Sequence, residues 1–275
     1  MGGILIMKKY LLKNTYAAIA ALFIAMFFLP TTAQAQTKYA LFICGTQVTS
    51  DNCGDLSGID GVKGTVSYDP DNKTLTLEKA TLNTNVPCID SGIDGLTIKV
   101  SGTNELNAGM AAIDAYVQTT ITGGGTLNVK SEENVAICAH KTNLTIKDCI
   151  VNAKGKYGIA GDNGSNEKLL ISKATVTAEG WNGSICDFNE ITLEDCAITQ
   201  PAGAEFDESK KAVVLNGEVV TSKIVIERDP AGIDTPTIDT AAKQGIYTLS
   251  GVKLDGKIED LPKGIYIVNG KKVVK

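Results

Sequence analysis

Hydrophobic and polar residues alternate along most of the middle of the chain, in short segments separated by glycine-containing turns. This alternation is the period of a half-buried β-strand and not of a helix. The segment LTIKDCIVNAKGKYGIA (144–160) returns in altered form as LLISKATVTAEGWNGSI (169–185). The alignment matches Leu144 with Leu169, Ile146 with Ile171, Val151 with Val176, Ala153 with Ala178, Gly155 with Gly180, and Gly158 with Gly183. The chain therefore repeats a unit built from strands.

Further copies of this unit lie on both sides. Its first strand recurs as LTL (75–77), LTI (96–98), TTI (119–121), LTI (144–146), LLI (169–171) and ITL (191–193), at spacings of 21 to 25 residues. A third strand recurs around Ile89, Ile113, Ile137, Ile159 and Ile185. A unit of this length with two or three short strands and no helix is typical of one coil of a parallel β-helix.

We therefore predict an all-β fold, a right-handed parallel β-helix of about six coils of 21–25 residues over 74–228. One coil cannot fold alone. Burying roughly six apolar side chains contributes on the order of 10 to 15 kcal/mol, whereas ordering the backbone costs about 1 to 2 kcal/mol per residue. Leucine-rich repeats share the period, but these copies lack their leucine-dense consensus. A sandwich or jelly roll is the remaining alternative.

The segments outside the coils differ in composition. Residues 1–35 are expected to be a signal peptide, because three lysines precede an apolar run at 17–29 and an A-x-A site at 33–35. Residues 36–73 predict an N-terminal β cap that covers the edge of the first coil. Residues 229–244, with two prolines, predict a linker, and 245–275 predict a small C-terminal β tail in which GIYTLSGVK is echoed by GIYIVNGKK.

Charge and cysteine content narrow the function. The formal charge of −5 becomes −8 without the three lysines of the signal, so a nucleic-acid partner is not expected. The apolar run is too short for a confident membrane span, so no integral span is expected in the mature protein. Seven cysteines leave at least one thiol unpaired within a monomer. Cys44 and Cys53 flank GTQVTSDN and are the candidate disulfide, while the other five occupy positions of small packing residues.

Several segments carry a family resemblance. TQVTSDN, GTVSYDPDNKTLTLEKATL, LTIKVSGTNEL and LTIKDCIVNAKGKYGI resemble the right-handed β-helix family of bacterial carbohydrate-binding domain proteins, over about residues 39–205. The resemblance implies a secreted, non-catalytic protein that binds plant-type or host polysaccharide, in some relatives with calcium. The ending LPKGIYIVNGKKVVK is similar to C-terminal sorting tails of Bacteroidetes secreted proteins, which implies delivery to the cell surface or outside the cell. The periplasm is the alternative location.

The candidate carbohydrate-binding residues share one inter-strand turn of adjacent coils: Tyr157, Trp181, Lys156 and Lys154. Exposed rings suit stacking on sugars, and the lysines suit uronate or sulfate groups, so acidic polysaccharides are among the expected partners. A local hydrophobic cover over the turn is the structural alternative. Tyr116 lies elsewhere on the coil and is a weaker candidate.

The candidate metal ligands are acids. Asp90 and Asp114 each follow the repeat isoleucine and are expected to stack about 5 Å apart on adjacent coils, where like charges repel by roughly 1 kcal/mol even in water. Calcium binds such carboxylates, and Asp162 begins the oxygen-rich turn DNGSN. Calcium is the one cofactor considered, against the alternative of solvated acids at ordinary turns.

Catalysis is not predicted. Hydrolases of glycosidic bonds need a pair of carboxylates around the scissile bond, whereas the acids here are scattered singly, and Arg228, the only arginine, lies past the coils. His140 has no carboxylate or serine beside it in the sequence and is expected to be a surface turn residue. An outward ladder is expected of Thr76, Thr97, Thr120, Thr145, Leu170 and Thr192, with flanking charges too irregular for an ice-binding plane. A structural or adhesive surface protein is the second hypothesis, and a polysaccharide lyase or hydrolase the third.

Overall fold

The structure, a computed structural model, describes residues 35–162, 166–228, 245–248, 251–254, 256–268 and 271–275. The signal peptide predicted for 1–35, apart from its last residue, and the linker predicted for 229–244 lie outside the described residues. Within them the chain is all-β, and its one helical piece is the 3-10 turn Ile258–Asp260. None of the described segments forms a helix long and apolar enough to cross a membrane.

The strands follow one another closely. Before the coils come β1 (Lys38–Ile43), β2 (Thr46–Thr49) and β3 (Val62–Asp69). The repeats contain β4 (Thr74–Thr84), β5 (Ile89–Ser91), β6 (Leu96–Ser101), β7 (Thr103–Ala108), β8 (Ile113–Ala115), β9 (Thr119–Thr122), β10 (Thr126–Ser131), β11 (Val135–Ala139), β12 (Asn143–Lys147), β13 (Ile150–Gly161), β14 (Lys168–Ser172), β15 (Thr175–Cys186), β16 (Glu190–Glu194) and β17 (Cys196–Gln200). The remaining strands are β18 (Glu205–Asp207), β19 (Ala212–Leu215), β20 (Glu218–Val219), β21 (Ile224–Arg228), β22 (Ile246–Thr248), β23 (Lys253–Leu254), β24 (Ile265–Val268) and β25 (Lys271–Val274).

Successive coils stack into three parallel sheets, called the first, second and third sheet after the order of the strands within a coil. The first sheet contains the start of β4, then β6, β9, β12, β14 and β16. The second contains the end of β4, then β7, β10 and the starts of β13 and β15. The third contains β5, β8, β11 and the ends of β13 and β15. This is a β-solenoid of about five turns, which confirms the predicted parallel β-helix and is consistent with its predicted right-handed course.

The sixth copy of the repeat does not complete a coil. Its first strand, β16, stacks in parallel on β14, but β17 pairs antiparallel with β21. β21 also pairs antiparallel with β15, so it lies where the second strand of a sixth coil would stack. At the other end, β1 pairs antiparallel with β5 and β3 with β4. Antiparallel strands therefore cover the N-terminal end of the stack and, at the C-terminal end, its second sheet, where an unpaired edge would favour aggregation.

The core is a set of columns with one side chain from each coil. In the third sheet, the column consists of Ile89, Ile113, Ile137, Ile159 and Ile185. Each is at most 1% exposed, and the register is the one that the repeat predicts. Burial of each such side chain stabilises the fold by about 1.5 to 3 kcal/mol, so the column stabilises the sheet that carries the outward side chains.

The register of the first sheet differs from the predicted alignment in its first coil. Leu75 pairs with Ile98 and not with Leu96, so Thr74, not Thr76, lies beside Thr97. Leu75 and Ile98 each precede by four positions a corner residue with left-handed backbone, Lys79 (φ 48°) and Gly102 (φ 63°) respectively. The corner residue therefore sets the register. Relative to that corner, the LT dipeptide lies two residues earlier in the second coil (96–97) than in the first (75–76), so alignment on the dipeptide gives the wrong pairing.

The C-terminal residues form a separate sheet. Four antiparallel strands lie in the order β23, β22, β24, β25. The two similar segments GIYTLSGVK and GIYIVNGKK contribute β22 and β24, which pair with each other through Tyr247 and Ile267.

Candidate binding groove on the third sheet

The outward surface of the third sheet presents acids in adjacent coils. Side chains alternate along a strand, so the residue after each inward isoleucine points outward. The register places Asp90 beside Asp114, and Asp114 beside Cys138. The adjacency that the sequence predicts for Asp90 and Asp114 is therefore present in the structure.

His140 lies two residues after Cys138, on the same side of the strand. Its backbone N–H donates to the carbonyl of Ala115 (2.8 Å), which continues the ladder and places His140 beside Tyr116. Its Nε2 lies 3.0 Å from Oδ1 of Asp114. His140 lies in a bend and is partly exposed, as expected. The expectation that it has no carboxylate partner is wrong, because the partner lies one coil away and 26 residues earlier in the chain.

Tyr116 forms an exposed aromatic platform. Its ring stacks on that of His140 with centroids 4.4 Å apart and planes 6° from parallel. Half of the residue's surface (50%) stays exposed. Partial burial and the nearby carboxylates of Asp114 and Asp90 raise the pKa of the phenol, so it stays protonated. Tyr116, the weaker candidate in the sequence, is therefore held in place by a stacked ring while half of its surface stays open to a ligand.

The two acids experience different surroundings. Asp114 is 8% exposed and bonds to His140. Asp90 is half-buried, and this burial, together with the charge of Asp114, raises the pKa of its carboxyl, while His140 opposes the shift. A carboxyl with a raised pKa keeps its proton, and so its ability to donate a hydrogen bond, to higher pH.

Asp114, but not Asp90, lines an open groove of about 410 Å³. Its lining includes Asp114, Tyr116, His140, Tyr157 and Asp162. Its volume falls within the range of small-molecule binding sites. Residues that the sequence assigned to two separate sites, the metal candidates Asp114 and Asp162 and the sugar candidate Tyr157, therefore meet in one groove.

The turn that begins at Asp162 is held by a buried acid. Glu167 is fully buried, and its carboxylate accepts hydrogen bonds from the backbone N–H groups of Asp162 (3.1 Å), Asn166 (3.0 Å) and Lys141 (3.2 Å). Residues 163–165, the centre of the predicted calcium loop, lie outside the described residues. Nothing in the sequence around Glu167 signals this role, because an isolated glutamate beside a turn is usually a solvent-exposed residue.

The predicted sugar-binding turn is less regular than the repeat suggests. Gly155 pairs with Gly180, but a bulge follows, and Tyr157 rather than Gly158 lies opposite Gly183. One residue separates Gly155 from Tyr157, whereas Trp181 and Asn182 separate the two glycines of the next coil. Tyr157 and Trp181 are therefore not equivalent positions.

The side chains of this turn have different roles. Trp181 is 56% exposed, whereas Tyr157 is half-buried and its hydroxyl accepts a hydrogen bond from the Asn182 amide (3.4 Å). Lys156 Nζ lies 6.0 Å from the centroid of the Tyr157 ring, at the limit of a cation–π contact. Lys154 Nζ lies 2.9 Å from the carboxylate of Glu179. This carboxylate compensates the positive charge of Lys154, which the sequence predicted would bind acidic sugars.

Cys138 completes the groove with a buried thiol. It is 6% exposed, and its Sγ lies 3.9 Å from Nδ1 of His140. Cys138, His140 and Asp114 thus have the connectivity of a nucleophilic triad. However, burial first and then the surrounding acids raise the pKa of Cys138 to about 12, whereas a nucleophilic cysteine needs a lowered pKa. The surroundings do not favour a thiolate nucleophile.

The predicted disulfide between Cys44 and Cys53 does not form in the structure. All seven cysteines belong to the described residues and are thiols there. The antiparallel pairing of β1 with β5 instead places Cys44 opposite Cys88, and the backbone N–H of Cys44 donates to the carbonyl of Cys88 (2.9 Å). A hydrogen bond between the two side chains raises the pKa of the Cys88 thiol and lowers the pKa of the Cys44 thiol.

Comparisons of the chain with protein-family models, with curated proteins and with solved structures gave no match. The resemblance described from the sequence stays a prediction, and the interpretation of the groove depends on its own geometry.

Proposed function

We propose that the protein is a non-catalytic, polysaccharide-binding β-helix that acts at the cell surface or outside the cell. The observation that carries the proposal is the half-exposed ring of Tyr116, which lies flat against His140 beside the carboxylates of Asp114 and Asp90. The groove on the third sheet is the binding site.

This combination suits a sugar ring. The apolar face of a sugar packs on an aromatic ring, and its hydroxyl groups donate hydrogen bonds to carboxylates at the edge of that ring. The platform is ordered in advance, because His140 and Asp114 fix one another. Asp114 lies on a strand that is held by buried isoleucines, and His140 lies just beyond the end of another such strand. Ordering a site before binding reduces the entropy that binding must overcome.

The charge of the groove favours neutral or amino-sugar polymers over acidic ones. Asp114, Asp162 and Asp187 line it, and Asp90 lies beside Asp114. Lys154, which favoured an acidic polymer in the sequence, is paired with Glu179. An acidic polymer would need a cation to offset these carboxylates, and the calcium predicted at Asp90, Asp114 and Asp162 would serve that purpose.

The arrangement of the acids supports binding rather than hydrolysis. A glycosidase places its two carboxyl groups around the scissile bond, whereas Asp90 and Asp114 project side by side from neighbouring strands of one sheet. Asp114 is also engaged by His140. For location, the basic start, apolar run and A-x-A site of residues 1–35 support export, and the sorting-like tail supports attachment to the surface.

The proposal is tested by affinity electrophoresis of the full-length chain in gels that contain neutral, amino-sugar or acidic polysaccharides, with calcium and with EDTA. We expect at least one polymer to retard the protein. Tyr116→Ala should weaken binding about tenfold, which corresponds to roughly 1.4 kcal/mol, because it removes the ring on which the sugar packs. Ile150→Ala, which shortens an exposed side chain (42%) on the second sheet, is the matched control and should bind like the parent chain.

Each other outcome has a defined meaning. No retardation by any polymer would contradict the proposal and favour a structural or adhesive role. A loss of binding in Trp181→Ala with Tyr116→Ala unaffected would move the site to the turn of the second and third sheets. Release of new reducing or unsaturated ends would show an enzyme.

A further inference from the structure

Three potential metal ligands with different donor atoms meet on the third sheet. Cys138 and His140 lie on the same side of β11 and its extension, and Asp114 lies beside Cys138 on β8. One ligand atom from each of the three lies within 4.8 Å of the others. We propose that Asp114, Cys138 and His140 form a binding site for a divalent cation of the zinc class, independently of any polysaccharide.

The chemistry of the donors selects the ion. Calcium takes six to eight oxygen ligands, whereas a thiolate, an imidazole and a carboxylate together suit Zn²⁺ and its tetrahedral substitutes such as Co²⁺. Zinc bonds of about 2.0 to 2.3 Å place neighbouring ligand atoms roughly 3.3 to 3.8 Å apart. The 3.9 Å between Cys138 Sγ and His140 Nδ1 is close to that spacing.

The surroundings also favour a cation. Asp90 lies beside Asp114, and Asp162 and Asp187 line the same groove. The imidazole turns Nδ1 toward Cys138 and Nε2 toward Asp114 at 3.0 Å. An ion bound to Nδ1 would lie next to Cys138. Rotation of Asp114 about its side-chain bonds, away from Nε2, would bring a carboxylate oxygen to that ion, since one ligand atom of each of the three residues already lies within 4.8 Å of the others.

Binding involves no redox change. The Sγ–H bond of Cys138 breaks, its proton passes to the buffer, and a sulfur–metal bond forms, so one proton is released for each ion bound. Three protein donors leave a fourth position open toward the groove, which water would fill.

The test is titration of the full-length, reduced and metal-free chain with Co²⁺, followed by displacement with Zn²⁺. We expect a thiolate-to-cobalt charge-transfer band and the visible bands of tetrahedral cobalt, at one ion per chain, which Zn²⁺ removes. Cys138→Ser should abolish the charge-transfer band, and His140→Gln and Asp114→Asn should weaken binding about 10- to 100-fold. Cys53→Ser, which changes a half-buried thiol outside the groove, should leave the spectrum unchanged.

Thermal unfolding of each variant without metal separates a lost site from a lost fold, and Cys138→Ala provides a second variant that keeps an apolar side chain in the sheet. Absence of the charge-transfer band in the parent chain would overturn the proposal. Its persistence in both Cys138 variants, its loss in Cys53→Ser, or displacement of Co²⁺ by Ca²⁺ would overturn it as well.

Discussion

The first and third sheets are both stacks of parallel strands, but the side chains on their outward surfaces differ. Along its middle, the first sheet presents half-buried, uncharged side chains in register, with charged residues such as Lys168 and Glu190 beside them. The uncharged column consists of Thr97, Thr120, Thr145, Leu170 and Thr192. The third sheet presents Asp90, Asp114, Cys138 and, just beyond the strand ends, Tyr116 and His140. Both surfaces have fully buried isoleucines beneath them, such as Ile146 and Ile137.

The size of the cavity does not distinguish the two surfaces. A groove of about 290 Å³ lies over the first sheet near Thr145 and Leu170, against about 410 Å³ over the third. The acids do distinguish them. On the first sheet, Lys168 lies 2.7 Å from the exposed Glu190 and lowers the pKa of its carboxyl. On the third, burial and Asp114 raise the pKa of Asp90. Neighbouring strands thus bring a lysine to a glutamate on the first sheet, which stabilises the charge. On the third sheet they bring two carboxylates together, and such an unfavourable concentration of charge is expected of a binding site.

The largest predicted effect tests the core that the two surfaces share. Ile137→Ala and Ile146→Ala should each lower the free energy of unfolding by about 2 to 5 kcal/mol, because each leaves a cavity in a close-packed column. Urea unfolding monitored by far-ultraviolet circular dichroism measures both. A cost below about 1 kcal/mol for Ile137→Ala alone would mean that the third sheet is loosely packed, and would weaken the case for an ordered groove.

The second prediction concerns the thiols. Directly opposite residues of antiparallel strands have Cα atoms about 4.5 to 5.5 Å apart, within the range of disulfides. Glutathione disulfide should therefore oxidise Cys44 and Cys88, on the third-sheet side, to one disulfide with release of two glutathione thiols. Cys149 and Cys196, buried at the corner next to the first sheet, should stay reduced. The link should add about 2 to 4 kcal/mol to the free energy of unfolding.

Peptide mapping by mass spectrometry identifies the link. Cys53→Ser should still form it and Cys88→Ser should not. A link between Cys44 and Cys53 in the parent chain would contradict the register of β1 with β5 and restore the pairing expected from the sequence.

The smallest predicted effect is the change in stability when an acid is neutralised, which should have opposite signs on the two surfaces. Asp90 has a raised pKa in the folded state, so its contribution to stability is fully present below its ordinary pKa and is lost as pH rises through the raised value. Asp90→Asn should therefore stabilise the protein at neutral pH, by no more than about 1 kcal/mol because the group is partly solvated. This gain should vanish in acid.

Glu190→Gln provides the opposite case. The lowered pKa of Glu190 contributes stability above its ordinary pKa, which is lost as pH falls through the lowered value. The substitution should lower the melting temperature slightly at neutral pH and not in acid. Melting temperatures measured from about pH 3 to pH 8 check both variants, and a shift of the same sign in both would contradict the comparison.

Repeat spacing and strand alternation predict much of this surface. They predict the isoleucine column and the adjacency of Asp90 and Asp114. Both features depend only on the alternation of side chains within a strand and on the length of the coil that separates one strand from the next in the same sheet. The partner of His140 could have been found in the same way. Cys138 and Asp114 both follow the repeat isoleucine, and His140 lies two residues farther along the same side, level with Tyr116.

Other features depend on competition between segments that are distant in the chain. The turn that contains Trp181 and Asn182 is one residue longer than the corresponding turn of the coil before it, so Tyr157, and not Gly158, lies opposite Gly183. The constant spacing of 25 residues conceals this shift, because Gly158 and Gly183 are both glycine. The incomplete sixth coil depends on β21, which returns to pair with both β15 and β17. No local pattern in residues 190–200 signals that a later strand replaces their neighbour.

The antiparallel position of β21 also determines how such a protein can grow. A parallel stack that ended in an ordinary coil could be lengthened by one more repeat at its end, or could join a second molecule there. With β21 between β15 and β17, the parallel ladder of the second sheet is interrupted at one end, and with β1 paired with β5 that of the third sheet is closed at the other, so an added terminal repeat would not extend an unbroken ladder in these sheets. Duplication of an internal coil, for instance the one that contains β8, meets no such obstacle, because its neighbours above and below are equivalent. Evolution or a designer can thus change the length of the scaffold from the middle while both ends stay unchanged.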